Sequence, residues 1–117
     1  CMTTLEQAYH ELGADYEGVT NRLMGDELVA RFVGKFFEDE NFAKLGEALA
    51  AQDVKAAFMA AHTLKGVCQN LGFDNLYAPS SELTEVLRAG SLEGADELYA
   101  KVAAEYRRME EVLKPCL

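Results

Sequence analysis

The sequence predicts an all-α fold, an antiparallel four-helix bundle with one or two short additional N-terminal helices. Three observations carry that expectation. Apolar residues recur at helical spacing through nearly all of the 117 residues. No segment sustains the apolar-polar alternation of a half-buried strand. Glycines and capping side chains punctuate the chain at short intervals, so the linkers are short and successive helices are expected to run antiparallel. Residues 1–117 are read as a single domain, without internal repeat or low-complexity stretch.

The first helix is expected over Thr4 to Leu12, with Thr4 and Gln7 able to form a capping box and Gly13 as its stop. Asp15 can cap a second, Tyr16 to Met24, and Gly25 separates it from a third, Asp26 to Glu38. In the third, Leu28, Phe32 and Phe36 fall on one stripe at four-residue steps. Phe42, Leu45 and Leu49 mark a fourth helix starting at Asn41. Asp53 caps a fifth, spanning about 53–71, and Gly72 stops it. The sixth, Asn75 to Arg88, presents Leu76, Leu83 and Leu87; Pro79 is tolerated if it falls in or near the first turn, where backbone donors lack helical acceptors. Gly90 closes it. Ser91 can cap the last and longest helix, where Leu92, Ala95, Leu98, Tyr99, Val102, Tyr106, Met109 and Leu113 keep helical period as far as Pro115.

Composition narrows the function. Acidic residues outnumber basic ones by 20 to 11, and a net charge of -9 repels a phosphate backbone, so no nucleic-acid partner is expected. No uncharged run approaches the length of a membrane span, and the N-terminus lacks the charged-then-apolar pattern of a secretory signal, so a cytoplasmic location is expected. Cys1, Cys68 and Cys116 show no C-x-x-C spacing and read as reduced thiols. Cys1 precedes Met2, which reads as an extra residue ahead of an initiator and favours a free-standing protein. The two histidines, His10 and His62, fall on different helices with no histidine or cysteine pair at ligand spacing, so no metal site is expected and His10 reads as a surface residue. The run Glu38, Asp39, Glu40 offers hard oxygen ligands, but acids at a helix end more often form a solvated connection, and no function is assigned to it.

His62 stands apart because of its neighbours. At about 100° per residue, Ala57, Ala60, Ala61, Leu64, Val67, Cys68 and Leu71 gather on the half of the helix opposite the histidine, which is the expected core side. Within roughly 60° of His62 lie Lys55, Phe58, Met59, Lys65, Gly66 and Gln69, so the imidazole is expected to face solvent. A surface histidine alone is usually no more than a polar residue. Gly66 argues otherwise: in a helix interior glycine costs about 1 kcal/mol relative to alanine, and a bare backbone one turn beyond the histidine gives a docking partner clearance. Lys65 can neutralise phosphate oxygens during phosphoryl transfer, and Gln69 can add a neutral hydrogen bond. Phe58 and Met59 are either bundle-edge packing or an apolar rim for a partner, and their exposure decides between the two.

His62-Thr63-Leu64-Lys65-Gly66, followed by Asn70-Leu71-Gly72, resembles the H-x-x-K-G and downstream L-G signature of the histidine-containing phosphotransfer family. Beyond the motif, the likeness covers helix order and lengths from about Asp26 to Leu113, while the first 25 residues match nothing distinctive. The resemblance implies a monomeric bundle whose histidine accepts a phosphoryl group from the aspartate of one receiver domain and passes it to another. By it, His62 is the phosphoacceptor, Lys65 the phosphate-neutralising residue and Gly66 the clearance residue. It also implies a carrier and not an enzyme, with no cofactor of its own and with magnesium supplied by the receiver. A polar residue on the following helix is common near the histidine in this family; Glu82, Thr84 and Glu85 occupy that neighbourhood without a clear match.

Two other readings compete. The dimerisation and phosphoacceptor domain of a histidine kinase usually places an acid directly after its histidine, where this chain has Thr63, and no glycine-rich nucleotide-binding segment follows. A structural or scaffolding bundle with an incidental histidine requires the grouping of Lys65, Gly66 and Gln69 to be coincidence, against the poor helix propensity of Gly66.

Overall fold

Capping side chains and glycines fix where the chain turns. The computed structural model describes residues 4–117, with helices α1 (Thr4–Leu12), α2 (Tyr16–Leu23), α3 (Asp26–Glu38), α4 (Asn41–Ala50), α5 (Val54–Leu71), α6 (Asp74–Arg88) and α7 (Ala95–Leu113), then a 3-10 turn over Lys114–Cys116. No strand occurs among the described residues, and Cys1 lies outside them. The start of α5 shows the local logic: the Asp53 carboxylate accepts the Ala56 N–H at 3.1 Å, satisfying a donor that has no helical acceptor. At its other end Gly72 turns left-handed at φ 72°, and its N–H donates to the Cys68 carbonyl. Asp15 caps α2 in the same way, accepting from the Gly18 N–H at 3.0 Å.

The helices form a bundle around one apolar core. α4 packs on α5, α5 on α6, α6 on α7, and α7 returns to α4; α3 rests against α5 and α1 against α7. Leu45, Ala57, Ala61, Cys68, Leu76, Leu83, Val102, Met109 and Leu113 are wholly buried between them. An aromatic seam ties α3 and α4 to α7: the Phe42 and Tyr106 rings stack with centroids 4.1 Å apart, and Phe36 lies 5.6 Å from Tyr106. The result is an elongated body of 46 × 24 × 21 Å.

Several local expectations need correction. Thr4 is already helical and so does not cap α1 with Gln7; the residue before it lies outside the described residues. Met24 adopts a left-handed conformation at φ 60° and ends α2 one residue earlier than the periodicity suggested. In α3 the buried stripe is Val29, Val33 and Phe36, whereas Leu28 and Phe32 are each 38 % exposed. α6 starts at Asp74, which places Pro79 beyond the first turn, where it withdraws the helical donor of the Asn75 carbonyl. Ser91 does not cap α7: its hydroxyl accepts the Glu93 N–H at 3.0 Å within a turn, and left-handed Gly94 precedes the helix.

Candidate functional site

The site lies on the outward face of α5. As expected, Ala57, Ala60, Ala61, Leu64, Cys68 and Leu71 point into the core; Val67 sits at its edge, partly exposed. The core side is dry enough that burial pushes the Cys68 thiol up to about 12, leaving it protonated. Opposite it, His62, Thr63 and Gln69 are exposed, while Lys65 and Gly66 are half-buried. Lys65 has no hydrogen bond or ion pair to another described residue, so its ammonium remains available.

Gly66 is free of internal constraint. A Cβ built on it meets nothing within 4 Å, so no packing inside the chain requires glycine here. Although Gly66 is half-buried, nothing beyond its two chain neighbours and the helix backbone stands within 4 Å of that Cβ position, which leaves room there for an approaching surface. Met59 is 58 % exposed and shares a shallow trough with Thr63, Asn41 and Lys44 between α5 and α4. Its side chain is therefore not packed into the bundle. Phe58 behaves differently: it packs partly on the core, and its ring stacks on the imidazole with centroids 5.7 Å apart.

The three candidates on α6 separate. Thr84 is fully buried and donates to the Ser80 carbonyl at 2.7 Å, so it cannot reach a ligand at His62. Glu82 lines a depression with Asn75 and Lys101 between α6 and α7. Glu85 holds Arg88 at 3.1 Å, and Arg88 in turn lies over the Phe58 ring. His10 is exposed, as are Glu38, Asp39 and Glu40. The acidic run serves local structure, since the Asp39 carboxylate accepts the Asn41 N–H at 2.8 Å and Glu40 pairs with Lys44 at 3.8 Å. Among the described residues no three His, Cys, Asp or Glu side chains are grouped to hold a metal, and no helix is long and apolar enough to cross a membrane.

How the far end of α5 is secured is not legible in the sequence. Its last carbonyls lack helical donors, and the N-terminal segment supplies them. The Tyr9 hydroxyl donates to the Leu71 carbonyl at 2.8 Å, the Asp15 N–H to the Gly72 carbonyl at 2.8 Å, and the Arg22 guanidinium to the Gln69 and Asn70 carbonyls at 3.0 and 3.1 Å. Burial pushes the Tyr9 phenol far up, so it stays a donor. Arg22 also sets a cation against the negative end of the α5 dipole. α1 and α2 therefore brace the helix that presents His62. Such long-range bonds to backbone oxygens have no side-chain pattern by which sequence could reveal them.

Comparison with known proteins agrees with the motif. The family model described as Hpt domain matches residues 28–112, more than half of the chain and close to the span over which the likeness was read. No curated protein and no solved structure matches. Hpt domains are phosphocarrier modules of two-component signalling that interact with receiver domains. An all-helical bundle, the His62 motif on an exposed helix face and the family match lead to one conclusion: the chain belongs to the Hpt domain family.

Proposed function

We propose that this protein carries a phosphoryl group on His62, accepting it from the phospho-aspartate of one receiver domain and passing it to another. The observation that carries the proposal is the pairing of an exposed imidazole with Gly66, a helix-interior glycine that the chain's own packing does not need. A docking partner is the physical reason for retaining it.

In the proposed reaction the in-plane lone pair of one imidazole nitrogen attacks phosphorus. The nitrogen–phosphorus bond forms as the acyl phosphate oxygen–phosphorus bond breaks, and that electron pair leaves on the receiver's carboxylate. The proton on the other ring nitrogen enters neither bond. Lys65 offsets the charge of the phosphoryl oxygens, Gln69 offers a hydrogen bond, and Met59 forms the apolar rim on which the partner rests. The receiver brings the magnesium ion, and this chain needs no cofactor of its own. It acts as a cytoplasmic monomer forming a single domain, without kinase or hydrolase activity.

The test is transfer of radiolabel from an aspartyl-phosphorylated receiver domain. The expected result is acid-labile label on the wild-type chain and none on His62→Gln. Equal labelling of the variant overturns the proposal.

A further inference from the structure

Phe58 stands one helical turn before His62, and its ring does more than cover the core. The phenyl and imidazole planes are only 18° apart with centroids at 5.7 Å, a stacked pair at i, i+4. The Arg88 guanidinium, from the C-terminal end of α6, lies over the same phenyl ring with Cζ 5.1 Å from its centroid. Glu85 holds that guanidinium, accepting from Nε at 3.1 Å. Phe58 is therefore fixed by the core beneath it and by a second helix beside it. An exposed imidazole without such a neighbour samples several rotamers about χ1 and χ2.

We propose that Phe58 is a positioning residue for the phosphoacceptor: a phenyl platform, steadied by Arg88, that sets the plane of the His62 imidazole before a partner arrives. This inference rests on the phosphotransfer reading of His62. The chemistry favours this arrangement. The nucleophilic lone pair of an imidazole lies in the ring plane, so a group stacked on one face leaves the reacting edge open. In-line attack on phosphorus needs that edge directed at the partner, and a preset plane removes a rotational search from the transfer step. A leucine at position 58 could fill the same core space, but it offers neither a flat surface to the imidazole nor a π-face to Arg88.

Two measurements on folded, full-length protein test the proposal. Proton NMR of the His62 ring reads the stack directly, because a phenyl face shifts the resonances of a ring above it, and exposed His10 supplies an internal reference. Single-turnover transfer at increasing receiver concentration separates the saturated rate from half-saturation. In Phe58→Leu the His62 ring resonances are expected to move toward those of His10, and the saturated rate to fall by about 3- to 10-fold, the preference that a single aromatic pair supports. The receiver concentration at half-saturation stays unchanged, and Phe58→Tyr restores both readouts. Unmoved resonances or a wild-type saturated rate in Phe58→Leu overturn the platform, as does a loss confined to half-saturation, which makes Phe58 a docking residue. If the wild-type chain accepts nothing from a competent receiver, the phosphotransfer reading fails and the platform fails with it. Wild-type transfer without loss in Phe58→Leu removes the platform alone.

Discussion

Substituting Gly66 by alanine should make the protein more stable and less able to transfer a phosphoryl group. Position 66 lies inside α5, and a Cβ there meets nothing within 4 Å, so the added methyl brings no clash. It restricts the unfolded chain and improves helix propensity, a gain of about 1 kcal/mol. For a chain of this size that raises the thermal midpoint by about 4 °C. The same methyl stands on the exposed face one turn from His62, where it holds a docked surface away from the imidazole. Misplacement of reacting atoms by about 1 Å reduces transfer by up to about 100-fold. Thermal unfolding measured beside receiver-to-histidine transfer reads both signs in one preparation. A destabilised Gly66→Ala would mean that the glycine serves the fold, and a stabilised variant with wild-type transfer would mean that clearance plays no part; either result refutes the reasoning.

Other substitutions give contrasting outcomes. Gly72→Ala should destabilise by about 2–4 kcal/mol in urea unfolding, because position 72 is left-handed at φ 72° and a Cβ there overlaps the Asp15 carbonyl oxygen. Arg22→Ala removes the donors to the Gln69 and Asn70 carbonyls and should cost about 1 kcal/mol by the same assay, with faster amide exchange in the last turn of α5. Leu64→Asp should unfold the bundle by circular dichroism, since Leu64 is 2 % exposed and a charge there has no partner; His62→Gln should change stability by no more than about 0.5 kcal/mol. Cys68 should resist thiol reagents at pH 8 until the chain unfolds. Its folded value near 12 lies above the ordinary value near 9, so its contribution to stability is complete below about pH 9 and lost as pH rises toward 12. Urea unfolding of Cys68→Ala across that range should show a weaker decline.

The parts of the fold that the sequence revealed are those governed by local rules. Asp15, Asp53 and Gly72 act as the caps that their chemistry predicts, and the two sides of α5 separate as its period requires. α3 resisted because apolar residues at 28, 29, 32, 33, 36 and 37 form two adjoining stripes, and only tertiary packing, against α2 and α5 and through Phe36 against Phe73 and Tyr106, selects Val29, Val33 and Phe36. Ser91 misled because a serine hydroxyl caps a short turn as readily as a helix, and here it accepts from Glu93.

The candidate site divides along the same line. His62, Lys65, Gly66 and Gln69 share one face through helical spacing alone, which sequence supplies. The Arg88 contact with Phe58 and the burial of Thr84 depend on how α6 meets α5, which it does not. The brace from Tyr9, Asp15 and Arg22 lies outside the matched span of 28–112 and works through backbone carbonyls, so neither motif nor periodicity could expose it.

The most direct measurement is the site of modification itself. After brief exposure to a phosphorylated receiver domain, peptide mapping at alkaline pH should place the phosphoryl group on a ring nitrogen of His62, with loss of the mark on acid treatment. A phosphoryl group on any other residue, or an unmodified His62 under conditions in which the receiver discharges to this chain, contradicts the account.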